Sequence, residues 1–122
     1  MISITNNLNF EAYPNPMHYL IESCSNLRRT HNCVQMAEVL IPKIQNINAE
    51  YWYGKMLMLE VVNKIRDQFK NECLIDILKL LSPISDHSIK DSLGRTAMDI
   101  ATLYDVFPAI EILKSSKKRK LA

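Results

Sequence analysis

The chain is poor in glycine. Only Gly54 and Gly94 occur in 122 residues. A loop that cradles phosphate on its backbone needs several glycines close together, so nucleotide binding of that kind is excluded. No apolar run reaches the roughly 18 residues that a membrane-spanning helix needs. The opening MISITNNLNF has no basic segment leading into an apolar core, so it does not read as a secretion signal. The chain is therefore expected inside the cell, in the cytoplasm or the nucleus. Cysteine is scarce too, at Cys24, Cys33 and Cys73. An odd count without a secretion signal argues against a disulfide framework, and the three read as reduced thiols. No segment alternates apolar and polar residues as a half-buried strand does.

What is present is helix-forming sequence. Apolar residues make up 48% of the chain, enough for the core of one domain, with Leu, Ile, Met, Glu and Lys prominent. Met17, Leu20, Ile21 and Cys24 fall on one helical face, and Val34, Met36, Val39, Leu40 and Ile44 on a broader one. Leu57, Val61, Ile65 and Phe69 recur every fourth residue, flanked by Met58 and Val62. Leu74, Ile77, Leu78 and Leu81 form a further stripe. TAMDIATLYDV and PAIEILKSS complete six helices in three pairs, with Pro108 suited to a first turn. Pro42 and QNINAE separate the first two pairs, and Pro83 with Ser85-Asp86 the next two. An all-α fold follows.

The pairs are spaced alike. YPNPMHYL, YGKMLMLEVV and LGRTAMDIA begin three copies, with Asn15, Met56 and Thr96 in register about forty residues apart. LIPKIQNINAEYWYG and LKLLSPISDHSIKDSLG each end a helix, cross a polar loop and arrive at a glycine. A self-similar period near 40 residues marks a stacked helical array. The domain then spans residues 10–114, as copies over 10–50, 51–90 and 91–114. A short segment (1–9) precedes it and a basic tail (115–122) follows.

The third copy resembles the ankyrin repeat. Asp91, Gly94, Thr96, Met98 and Ala101 fit the family's turn and first helix, and Ile112-Leu113 closes the second. Asn15-Pro16-Met17-His18 stands for Thr-Pro-Leu-His in the first copy, where His18 takes the place of the motif histidine. The second copy keeps Gly54 and the Ile47-Asn48-Ala49 loop before it, but Met56-Leu57-Met58-Leu59 is fully apolar where the motif is half polar. Ankyrin repeats run to about 33 residues, so the first two copies carry longer helices or longer inter-helix loops. The period also suits HEAT- or armadillo-like helix pairs, the alternative architecture. Thr96 and Asn15 can each cap a helix.

No catalytic constellation emerges. His18, Cys24, His31 and Cys33 have the spacing H-x5-C-x6-H-x-C, which fits no zinc template, so no metal is expected. Arg28 and Arg29 near Cys33 do not by themselves make a nucleophile, which also needs a base and an oxyanion site. Asp86-His87-Ser88 is contiguous, whereas a triad is assembled from separate segments. The chain is read as a non-enzyme with no cofactor.

Its expected work is to bind a protein. The resemblance places contacts on hairpin tips and inner helices, at Tyr51, Trp52, Tyr53, Lys55, Asn63 and Lys64 in the second copy. In the third they fall at Ser92, Leu93, Arg95, Leu103 and Tyr104. Aromatic residues such as Tyr51-Trp52-Tyr53 make good anchors because they bury a large area at little entropic cost. Short ankyrin-only chains resemble IκB-type inhibitors, which bind Rel-type transcription factors, and small inhibitors of cyclin-dependent kinases. The resemblance thus implies a module that masks a regulatory partner. Lys117, Lys118, Arg119 and Lys120 resemble a nuclear-import signal. Without them eleven basic residues face thirteen acidic ones, so the body offers no general surface for nucleic acid or membrane. The alternative role is a subunit that forms a homodimer or docks through an apolar end face.

Overall fold

The computed structural model describes residues 16–26, 33–44, 46–49, 56–67 and 71–121, with the side chains at 25, 26, 33 and 117–121 outside that set. All regular structure among these residues is helical. The first pair is α1 (Pro16–Asn26) and α2 (Cys33–Leu40), the second α3 (Leu57–Asp67) and α4 (Glu72–Leu81), the third α5 (Ala97–Leu103) and α6 (Phe107–Leu121). Short 3-10 turns, Ile41–Lys43 and Ser82–Ile84, follow α2 and α4. The last helix is longer than the periodicity suggests and carries its backbone through the basic run to Leu121.

Each element has a local cause. Pro16 opens α1, where its missing N–H is not needed. Asn71 caps α4, its Oδ1 accepting from the backbone N–H groups of Cys73 and Leu74 at 3.1 and 3.3 Å. Thr96 and Asp99 close a reciprocal capping box at the start of α5, with bonds of 3.1 and 2.9 Å. Pro42 and Pro83 each fall in a 3-10 turn, because the proline ring cannot extend the preceding α-helical ladder.

Helix α5 ends in a tight left-handed turn. Val106 N–H donates to the Ala101 carbonyl at 2.8 Å and Asp105 N–H to the Thr102 carbonyl at 3.3 Å. Asp105 supplies the required positive φ of 54°. The chain reverses there and starts α6 at once.

Packing follows two rows. Helices α1, α3 and α5 lie side by side, as do α2, α4 and α6, and each pair also packs internally. The middle pair is covered on both sides. This is why Met56, Leu57, Met58 and Leu59 are all fully buried, a run too apolar for an end position. The predicted stripes on α1, α3 and α4 are buried as expected at Met17, Leu20, Ile21, Cys24, Leu57, Val61, Ile65, Leu74, Ile77, Leu78 and Leu81. Phe69 lies outside the described residues. On α2 the burial differs: Ala37 is fully buried, while Met36 and Val39 are 51% and 61% exposed.

The first two connections between pairs are built alike. Asn46 Oδ1 accepts from Asn48 N–H at 3.0 Å, and forty residues further on Asp86 Oδ1 accepts from Ser88 N–H at 2.9 Å. In both, the carbonyl of the same residue accepts from the N–H three positions on, Ala49 and Ile89. The two loops touch, since Asn48 Oδ1 accepts from Asp86 N–H at 2.6 Å. The extra length of the early copies lies partly in the first helices: α1 and α3 each have 11 residues, against 7 in α5.

Candidate partner-binding surface

Of the predicted contact positions, Ser92, Leu93 and Arg95 lie on one turn just before α5. Asp91 organises it. Its N–H donates to the Arg95 carbonyl at 2.8 Å, and its carbonyl accepts from Gly94 N–H at 3.0 Å. Its carboxylate accepts from the N–H groups of Leu93 and Arg95, both at 2.9 Å, and from the Arg95 guanidinium through Nε and Nη2, again at 2.9 Å. Partial burial pushes the Asp91 carboxyl upward, but these donors outweigh it and hold the group below its ordinary 3.8. Gly94 has φ +78°, and an added Cβ would meet nothing within 4 Å. Glycine is therefore required here for backbone conformation and not for space.

The result is a rigid tip that displays Ser92 and Leu93, the latter 74% exposed. At the other end of α5, Leu103 and Tyr104 are exposed. The Arg66 guanidinium of α3 lies 4.6 Å from the centroid of the Tyr104 ring. Arg95 has its pKa raised, first by its bond to Asp91 and further by Tyr104. Tyr104 thus adjoins a cation from the middle pair and one from the tip.

The two predicted contacts on α3 serve the fold as well. Lys64 Nζ pairs with Glu22 Oε1 of α1 at 2.8 Å, and this bond raises its pKa. Asn63 Nδ2 donates to the Leu59 carbonyl at 3.2 Å inside its own helix. Tyr51, Trp52, Tyr53 and Lys55 lie outside the described residues, as do the side chains of Lys117, Lys118, Arg119 and Lys120. Arg66 joins this surface through Tyr104 and carries no motif signal in the sequence; Phe107 is 68% exposed at the start of α6 and carries none either.

The His-, Cys- and Asp-bearing candidates serve the fold where the structure describes them. Asp86 Oδ1 accepts from Ser88 Oγ at 2.6 Å, while His87 Nε2 bonds the Ser82 carbonyl at 2.8 Å, so the three side chains do not line up as a relay. His18 and Cys24 are buried in α1, whereas His31, Arg28 and Arg29 and the Cys33 side chain lie outside the described residues. The reading of three reduced thiols needs correction. Cys73 carries a thiol, but Cys24 is disulfide-bonded. An odd cysteine count accommodates one bridge and one thiol as readily as three thiols.

Among the described residues, no helix is long and apolar enough to cross a membrane. No family model, curated protein or solved structure matches the chain.

Proposed function

We propose that the chain is a short ankyrin-type helical array that binds a protein partner, without catalysis, and masks the partner's surface. The observation that supports it most is the repeated construction of the first two pairs. Pro-bearing 3-10 turn, Asx turn and side-by-side helix packing recur at a spacing of about forty residues. The Asp91–Arg95 tip before α5 favours the ankyrin reading over HEAT- or armadillo-like pairs, because it is a hydrogen-bonded hairpin preset without a partner. A preformed surface loses little entropy on binding. Exposed Leu93, Leu103 and Tyr104 supply apolar contacts beside the Arg66 and Arg95 cations. By analogy with IκB-type chains, the partner is a regulatory protein of the Rel transcription-factor kind, met in cytoplasm or nucleus.

The test is capture from cytoplasmic and nuclear extracts by the full chain and by a Leu93→Asp, Leu103→Asp variant whose circular dichroism is unchanged. A partner held by the first and lost by the second is the expected result. Equal capture by both removes this surface from the function.

A second reading, assembly through an end face, is favoured by α2. Gln35, Met36, Val39 and Leu40 line an open hollow of 390 Å³. A mass that rises with concentration in sedimentation, and is restored to the monomer by Val39→Lys, supports that role.

A further inference from the structure

The fold sorts its methionines sharply. Among the described residues, Met17, Met56 and Met58 are 0–1% exposed in the core. Met98 is half-buried and packs against that core. Met36, on α2, is 51% exposed. Its side chain lines the open hollow of 390 Å³ together with Gln35, Val39 and Leu40. A small reagent in solution can enter that hollow without disturbing the packing. Helix α2 lies against α1 and α4 and turns Ala37 into the core, fully buried. Met36 points its thioether away from those contacts, on a face that the hairpin-tip surface does not use.

We propose that Met36 is an oxidation site: a peroxide converts its thioether to the sulfoxide ahead of the other described methionines, and so turns the α2 face from apolar to polar. A sulfur lone pair attacks one peroxide oxygen, and the S–O bond forms as the O–O bond breaks. With hydrogen peroxide the second oxygen leaves as water. The sulfur loses two electrons and the peroxide gains them, so no other reagent enters. The product is a polar acceptor set beside Val39 and Leu40. Gln35 lines the same hollow and carries an amide that can donate to it. Attack on Met17, Met56 or Met58 requires the core to open first, which slows it. The sulfoxide is reducible by methionine sulfoxide reductases, so the change of surface is reversible. The site needs no partner on α2 and stands apart from the assembly reading.

The experiment treats the dilute, folded full chain with hydrogen peroxide, quenches samples over time and maps them by mass spectrometry after digestion. A gain of one oxygen is expected at Met36 at least about tenfold faster than at Met17, Met56 or Met58, and ahead of Met98. The same samples, run undigested on a hydrophobic-interaction column, should elute earlier as Met36 is converted. A Met36→Leu variant keeps the apolar face without the thioether, and its elution should not move under the same treatment. Oxidation of Met36 no faster than that of the three buried methionines overturns the proposal. So does a treated Met36→Leu chain whose elution shifts as far as that of the wild type, because the polar change would then come from another residue.

Discussion

At the scale of single residues, conformation and charge decide more than size does. Gly94 has open space around it and a φ that L-residues rarely adopt, so Gly94→Ala should cost about 1–2 kcal/mol in denaturant unfolding. Asp105 holds a left-handed conformation with a side chain attached, and Asp105→Gly should stabilise by about 0.5 kcal/mol in the same measurement. Asp91 and Asp99 both have their pKa lowered in the fold, Asp91 by the tip donors against its burial and Asp99 chiefly by the Thr96 backbone N–H. A carboxyl depressed in the folded state contributes its stability above the unfolded value and loses it as pH falls through the folded value. Denaturation midpoints should therefore drop as the pH falls below about 4, and Asp91→Asn should flatten that part of the profile.

Among elements, the junctions carry the specificity. Asn71 caps α4 and clamps the end of α1 with the same amide, so it joins two helix pairs. Asn71→Ala should cost about 1–2 kcal/mol through the cap alone. Asn71→Asp separates the two roles: it keeps the cap acceptor but sets a carboxylate against the Cys24 carbonyl. It should remain destabilised relative to wild type in thermal unfolding. These ties were partly legible beforehand. Thr96 announced its cap because the motif is local, and Pro42 and Pro83 announced the ends of two helices. The Asn71 clamp was not legible, because its second partner lies 47 positions away.

For the whole molecule, position in the stack sets what each apolar residue does. Met58 in the central pair is 1% exposed, and Met58→Ala should cost about 2–5 kcal/mol. Val39, at 61% exposure on α2, should tolerate Lys within about 0.5 kcal/mol. Comparing the two by urea unfolding checks whether the stack has an open end there. If Val39→Lys is as costly as Met58→Ala, that face is covered.

The sequence by itself determined that the chain is helical, where its helices begin and end to within a few residues, and the forty-residue spacing of its loops. Caps, prolines and apolar periods act over one or two turns and need no distant partner. Only the tertiary structure decided which face of α2 is buried and how the middle pair is enclosed. It selected Ala37 over Met36 and Val39 on α2 and enclosed the Met56–Leu59 run between two neighbours. It also committed Lys64 to Glu22, laid Arg66 over Tyr104, and brought the Cys24 and Cys73 sulfurs into contact. These pairs lie roughly forty to fifty positions apart and meet only when one helix pair stacks on the next.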